Sequence, residues 1–320
     1  MPTLTDLSPN QLQELVKAKL TELQKGDPLF KHMPIVYKNT DLVKWEQWDG
    51  YKPKEYNCQL EPGIYGDMSV FGLAGLVKRG GRDKVITNAI NQMVSRMLAR
   101  IKQVGWTLLT DATYSKLDRF GRIHHIDTFK SNRYVANTVW SDLANSNPID
   151  DLGQVQKLGT TNGLTFGRTA KIYVNQTTFD HLICSEFIRH RLLDDGTNKG
   201  IIGLNHLNEV FSNWDLPEVV VHDHGYMNDS DIFIQYIPDG KVVVLASITD
   251  GTTAAEYQIV NNKLVQGWDK AMPYVSTQDK EVKRVDEEGN TITVQELEIH
   301  CGHNGGPALL CPQSVVLMSV

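Results

Sequence analysis

The strongest pattern in the chain is a hydrophobic stripe at helical spacing between Asp83 and Val104. Apolar residues recur there at intervals of three and four: Ile86, Ala89, Ile90, Met93, Val94, Met97, Leu98 and Ile101. An acid in the first turn, basic residues towards the end and Gly105 beyond predict a helix over 83–104. At 1.5 Å per residue this helix is roughly 30 Å long.

A second amphipathic helix is predicted near the start, where Ser8-Pro9 precedes an apolar stripe and Gly26 follows it. The stripe consists of Leu12, Leu15, Val16, Leu20 and Leu23. Nothing nearby in the sequence covers this stripe, and one interpretation is that the helix packs on its own domain.

The segment from Gly26 to Gly81 is rich in Pro, Gly, Tyr and Trp and alternates only weakly. Leu42 to Trp48 and Ser69 to Phe71 are its most strand-like parts. Such a stretch does not easily close a core by itself. It is interpreted either as an irregular lobe packed on its own domain or as an excursion that another surface covers.

The rest of the chain alternates strand and helix, which predicts an α+β domain. The predicted strands are Tyr134 to Trp140, Lys171 to Asn175, Glu218 to Val221, Ile232 to Ile237, Lys241 to Ala246 and Ser314 to Val320. The predicted helices are Pro148 to Leu158, Thr178 to Leu193 and Leu204 to Trp214. A hairpin is predicted from Glu281 to Val285 and Thr291 to Ile299.

Composition narrows the class of protein. A length of 320 residues with 41% hydrophobic and 22% charged residues fits one large or two ordinary folded domains. The formal net charge of -6 provides no basic field for a phosphate backbone. The four cysteines form no CxxC pair, so we expect free thiols in a reducing compartment. Neither a leader nor an eighteen-residue apolar run is present, which predicts a cytoplasmic product without a membrane span.

The sequence gives little support for a catalytic or metal-binding site. His222 and His224 are two apart on a predicted strand and share a face, so with Asp229 or Asp231 they form the best metal-site candidate. We interpret them as a polar strand end, and His300 to His303 as a loop before the last strand. His124 and His125 are interpreted as a polar turn, and the glycines from 159 to 167 as a loop.

The sequence contains no GxSxG nucleophile elbow, no GxxxxGK(S/T) phosphate loop and no HExxH motif. We therefore predict no catalytic, cofactor-binding or metal-binding residue. A metal-dependent hydrolase that uses His222 and His224 stays open as a distant alternative.

Three blocks in fixed order carry a family resemblance. The first runs from Trp140-Ser141-Asp142 to Asn147-Pro148-Ile149-Asp150-Asp151, and the second is Pro238-Asp239-Gly240 before a strand. The third is Gly306 to Pro312 followed by Val315 to Val320. As a set they resemble the major capsid protein of lambda-like tailed bacteriophages, most closely after Trp140.

The resemblance implies a Hong Kong 97-type capsid fold, with an N-terminal arm over 1–33 and an extended β-hairpin loop over 34–81. It further implies a peripheral domain of 82–147 and 249–320, which holds the spine helix 83–104, and an axial domain of 148–248. The hairpin at Glu281 to Ile299 is longer than the family pattern.

The function implied is that of a structural head protein, not an enzyme, which assembles into pentamers and hexamers of an icosahedral shell around double-stranded DNA. Scaffold, portal and decoration or cement proteins are the other expected partners, and the expected location is the virion. A covalent cross-link through the lysines of the extended loop is not expected. An encapsulin-like nanocompartment shell is the alternative that shares the fold. On this basis the candidate inter-subunit contacts are Leu12, Leu15, Val16, Trp45 and Trp48.

Overall fold

The computed structural model of the chain describes residues 9–39, 43–49, 52–58, 63–71, 79–111, 113–117, 123–127, 132–161, 164–192, 202–227, 232–246, 253–260, 271–285 and 291–320. Helices and sheets are mixed along the chain, which confirms the α+β class. The chain divides into two compact units. The first consists of Met1–Trp45, Glu55–Lys102 and Glu256–Ala308, and the second of Glu46–Lys54, Gln103–Ala255 and Leu309–Val320.

The helices confirm most of the predicted pattern. They are α1 (Pro9–Gln24), α2 (Leu29–His32), α3 (Arg79–Asp111), α4 (Pro148–Thr161), α5 (Gln176–Cys184), α6 (Glu186–Leu192) and α7 (Leu204–Asn213). The described residues also form sixteen strands. These are β1 (Ile35–Lys38), β2 (Val43–Asp49), β3 (Lys52–Cys58), β4 (Gly63–Phe71), β5 (Thr113–Leu117), β6 (Ile123–Asp127), β7 (Asn132–Val135), β8 (Lys171–Val174), β9 (Glu218–Val221), β10 (Gly225–Met227), β11 (Phe233–Gln235), β12 (Lys241–Leu245), β13 (Ala255–Val260), β14 (Tyr274–Val285), β15 (Thr291–Leu309) and β16 (Val315–Ser319).

The first unit is built on a sheet in the order β1-β13-β15-β14, with β4 also paired to β15. Strand β1 runs parallel to β13, whereas β14 and β15 form a long antiparallel hairpin that confirms the predicted one and extends it. Helix α1 turns Val16 and Leu20 inwards, since both are fully buried. The buried carboxylate of Asp27 accepts the amide of Leu29 at the start of α2 and pairs with the ammonium of Lys102 at 3.0 Å.

The second unit is built on a mixed sheet in the order β7-β16-β12-β8-β9. Strands β8 and β12 expose almost nothing to solvent and consist of Val, Ile, Leu and Tyr apart from their lysines, as expected for strands buried on both faces. One continuous apolar core joins this sheet to α4, α5, α6 and α7 and includes Trp140, Phe166 and Phe211. Two small antiparallel pairs, β5 with β6 and β10 with β11, also belong to this unit, and a third pair, β2 with β3, lies partly in it.

Two helix predictions are wrong, one at its end and one in its middle. Helix α3 continues past Gly105 to Asp111, because the residues that follow the glycine are apolar and buried: Trp106, Leu108 and Leu109. The predicted helix from Thr178 to Leu193 is divided at Ser185, whose backbone leaves the helical region at φ -56° and ψ 133°. The buried Ser185 hydroxyl donates to the carbonyl of Ser146 at 3.1 Å, and this tertiary bond accompanies the break.

Several turn and strand predictions also need correction. The strand predicted from Tyr134 to Trp140 ends at Val135, because the last sheet bond is from the amide of Ala136 to the carbonyl of Ser319. His300 to His303 belong to β15, whose pairing with β4 shifts register between His300 and Gly302, so that two residues of β4 lie opposite one of β15. His124 and His125 lie in β6, paired with Lys116 and Ser115.

One smaller difference remains. Helix α4 extends to Thr161 and so takes up the start of the predicted glycine loop. Among the described helices, none has the length and the apolar character that a bilayer span requires.

Candidate functional site

The three sequence blocks meet in the five-stranded sheet of the second unit. Strand β16 of the third block lies between β7, which leads into the first block, and β12, which follows the Pro-Asp-Gly turn. Met318 is aligned with Tyr134 in parallel register and with Val242 in antiparallel register. Residues that are almost two hundred positions apart therefore form one structural frame.

The first block is held together by the buried carboxylate of Asp151, in the first turn of α4. One oxygen accepts the hydroxyl of Tyr134 at 2.6 Å, and the other accepts the indole N–H of Trp140 at 2.8 Å. An ionised acceptor strengthens both bonds, and the helix N-terminus favours its negative charge. The carboxylate thus joins β7, the turn after it and α4.

The environment of Tyr134 is consistent with this arrangement. Burial raises the pKa of its hydroxyl, and the hydrogen bond to Asp151 and the charges of Asp151 and Asp150 raise it further. The hydroxyl therefore stays protonated and continues to donate to the carboxylate across the physiological range.

The turn inside the first block is hydrogen-bonded to the junction of α5 and α6. The amide of Ser146 donates to the carbonyl of Asp142 at 2.9 Å. Two bonds then cross to the helices: the Ser185 hydroxyl donates to Ser146, and the amide of Glu186 donates to the carbonyl of Leu143 at 2.8 Å. The turn that follows Trp-Ser-Asp is therefore connected to α5 and α6 through the carbonyls of Leu143 and Ser146.

The second block is anchored by Asn175, which is fully buried between β8 and α5. Its side-chain oxygen caps α5 by accepting the amide of Thr178 at 2.9 Å, and its nitrogen donates to Gln235 at 3.0 Å and to Asp239. The Thr178 hydroxyl in turn accepts the amide of Gly240 at 3.0 Å. A helix cap and the Pro-Asp-Gly turn thus form one hydrogen-bonded network.

The third block ends on that same turn. Gly240 has a φ of +69°, a conformation that glycine adopts without strain. Its carbonyl accepts the amide of Val320 at 2.9 Å, and a Cβ at this position would come within 3.0 Å of the Val320 carbonyl oxygen. Glycine is therefore required here by backbone conformation and by close approach.

The predicted contact residues lie in different environments. Leu15 is 40% exposed on α1, whereas Val16 is fully buried within its own chain and gains no buried area from a neighbour in this conformation. The side chains of Leu12, Trp45 and Trp48 lie outside the described residues. Their assignment as inter-subunit contacts stays a prediction.

A surface that sequence reasoning missed is the hairpin of β10 and β11. Met227, Ile232, Phe233 and Ile234 are 57%, 59%, 54% and 37% exposed. Phe233 and Ile234 are consecutive and point to opposite faces, so the hairpin is apolar towards solvent on both sides. The run Ile232-Phe233-Ile234 has no polar alternation, and this was the available signal.

The metal-site candidate has a different geometry from the one predicted. Strand β9 ends at Val221, so His222 and His224 follow the strand instead of sharing one of its faces. The buried His222 ring packs 4.6 Å from Trp106 and 4.9 Å from the exposed His224 ring, measured between centroids. The proposed third ligands, Asp229 and Asp231, lie outside the described residues.

Comparisons with known proteins give similarity of fold. Neither the protein-family models nor the curated proteins match the chain. Among solved structures, a protein described as a capsid protein of a prophage of Escherichia coli CFT073 matches with a TM-score of 0.60 at 13% identity. The match covers 96% of this chain and 98% of that one.

A phage-related protein from Bordetella bronchiseptica RB50 matches with a TM-score of 0.52 at 12% identity. The match covers 93% of this chain and 94% of the Bordetella protein. The chain therefore has a phage capsid-protein fold along nearly its whole length, and the predicted resemblance is confirmed at the level of fold.

Proposed function

We propose that this protein is the major capsid subunit of a tailed bacteriophage, a structural protein and not an enzyme, whose copies form a closed shell around double-stranded DNA. The observation that carries the proposal is the end-to-end match to the prophage capsid protein, at a TM-score of 0.60 over 96% of this chain.

The distribution of polar and apolar groups supports a structural role. Three buried polar side chains of the second unit, those of Asp151, Asn175 and Ser185, make hydrogen bonds that hold strands, turns and helices together. At the same time, the hairpin β10–β11 presents four large apolar side chains to solvent. A protein that works in isolation rarely leaves such a patch uncovered, whereas one that assembles covers it with a neighbour.

The subtype we propose is the Hong Kong 97-type capsid fold. Helix α3, with 33 residues, has the length of a spine helix, and the pair β2 and β3 lies in the segment assigned to the extended loop. The proposed peripheral domain is 82–147 with 249–320, and the proposed axial domain is 148–248. Strand β16 pairs with β12, so the last residues share a sheet with the proposed axial segment.

The proposed assembly consists of pentamers and hexamers, with α1 as part of an N-terminal arm. Leu12, Leu15, Val16, Trp45 and Trp48 are the proposed arm and loop contacts between subunits. Because Val16 is buried in cis, its contact with a neighbour requires that α1 move or exchange. Scaffold, portal and decoration proteins are the proposed further partners in the host cytoplasm and the virion.

The experiment that tests the proposal is expression of the chain alone, followed by sedimentation and electron microscopy. Shells or tubes of uniform wall thickness support it. To separate a phage head from a cargo shell of the same fold, the particles are isolated after co-expression with the genes that flank this one. Packaged DNA supports the head, and an enclosed enzyme supports the nanocompartment.

A further inference from the structure

We propose that Asn208 of α7 closes the edge of β9 and so prevents a strand of a second copy of this chain from adding to the sheet. Strand β9 is the last of the five described strands in the order β7-β16-β12-β8-β9. The outer backbone groups of an edge strand offer a template for pairing with another chain. The inference goes beyond the proposed function, because it concerns an association that the chain avoids.

The pairing of β9 with β8 identifies the backbone groups that face away from the sheet. The two strands run parallel, and just beyond β9 the amide of His222 still donates to the carbonyl of Val174 at 2.8 Å. Successive residues of a strand direct their backbone groups to opposite sides. The amides and carbonyls of Val219 and Val221 therefore point away from β8, and a strand that added to this edge would bond to these two residues.

Asn208 binds both outward backbone groups of Val219. Its side-chain oxygen accepts the Val219 amide at 2.7 Å, and its side-chain nitrogen donates to the Val219 carbonyl at 2.9 Å. The carboxamide thus makes the two bonds that an antiparallel strand would make at this residue. Because only Val221 would be left for an added strand, the occupied Val219 removes half of the backbone hydrogen bonds that could hold it.

The packing of α7 holds the carboxamide in place. Leu207, which precedes Asn208, and Phe211, about one turn later, are fully buried in the core of the second unit. These two side chains fix the rotation of the helix about its axis. Asn208 therefore cannot turn away from β9 unless both apolar side chains leave the core.

The composition of β9 explains why its edge needs protection. Val219, Val220 and Val221 are consecutive, and valine is among the residues that most favour strands. Charged side chains on an edge strand discourage pairing with other chains. The charged residue of this strand is Glu218, and its carboxylate is already paired with the ammonium of Lys171 in β8. Asn208 therefore supplies a block that the charge of the strand does not.

Hydrogen exchange read by mass spectrometry tests this role in the full chain. In dilute Asn208→Ala, the Val219 amide should exchange roughly tenfold faster than in the wild type, because the oxygen that accepts it is removed. At higher concentration the variant should form species in analytical ultracentrifugation that the wild type does not form. Residues 216–221 should regain protection within these species, which lower stability alone would not produce.

Matched substitutions separate the edge from the stability of the helix. Asn205→Ala removes an exposed asparagine from the same helix and should behave as the wild type. Asn208→Asp keeps an oxygen for the Val219 amide and places a charge at the edge, so it should not associate either. Asn208→Leu keeps a side chain of similar size without hydrogen bonds, and it repeats the test if the alanine variant does not fold.

Two results would overturn the inference. The first is that Asn208→Ala and Asn208→Leu associate no more than the wild type. The second is that they associate while residues 216–221 still exchange freely in the associated species. Both results are measured relative to the wild-type chain, so they do not depend on whether that chain forms shells.

Discussion

Replacement of Asp151 by asparagine tests the frame that the three sequence blocks build. The carboxylate is 5% exposed and accepts Tyr134 and Trp140 at 2.6 and 2.8 Å. An asparagine can keep its oxygen on the indole N–H of Trp140 and turn its amide N–H towards the Tyr134 oxygen, which can accept as well as donate, so both contacts survive but without the charge. Hydrogen bonds to charged groups contribute about 1.5–3 kcal/mol and neutral ones about 0.5–1.5 kcal/mol, so each of the two bonds weakens by about 1–2 kcal/mol.

We therefore expect Asp151→Asn to lower the free energy of unfolding by roughly 2–4 kcal/mol. The matched control is Asp150→Asn, the preceding residue, which is exposed and should cost less than about 1 kcal/mol through the helix dipole alone. Urea unfolding of unassembled subunits, followed by tryptophan fluorescence and circular dichroism, gives both values. Equal, small effects of the two substitutions would show that Asp151 does not hold the frame.

The remaining predictions concern two glycines and one tyrosine. Gly240→Ala should destabilise the chain by about 1 kcal/mol or more, because φ is +69° and a Cβ would crowd the Val320 carbonyl. Gly153→Ala, in α4 with open space around a Cβ, should stabilise it by about 0.5–1 kcal/mol. Thermal unfolding compares the two, and equal shifts in Tm would refute the argument. Burial and then the charge of Glu14 raise the pKa of Tyr37 to about 12. This raised pKa favours the protonated hydroxyl in the folded state, so stability is retained below pH 10 and lost between pH 10 and 12, by roughly 2–3 kcal/mol. Tyr37→Phe should lose less stability over that window in parallel urea titrations, and an identical decline in both proteins would contradict the assignment.

Local sequence signals were sufficient wherever one physical factor dominates. Helix α7 was predicted to within one residue, and the start of α4 at Pro148 was predicted correctly, although its end was not. Contacts between residues far apart in the sequence could not be predicted from these local signals. The break at Ser185 accompanies a bond to Ser146, which is 39 residues away in the sequence.

The candidate surfaces show the same limit. An apolar stripe predicted that α1 buries one side, but sequence alone did not reveal that Val16 is covered within its own chain. The exposed hairpin was read as an ordinary strand, since solvent exposure depends on which elements pack beside it. Likewise, Trp140 and Asp151 were recognised only as members of the first resemblance block, and the structure shows that the indole N–H donates to the carboxylate at 2.8 Å.

Electron microscopy of the purified chain, at several protein and salt concentrations, tests the central claim most directly. The account predicts closed shells or tubes with a wall one subunit thick, because the apolar hairpin needs a neighbouring copy to cover it. A well-folded monomer that stays dispersed under every condition would contradict it.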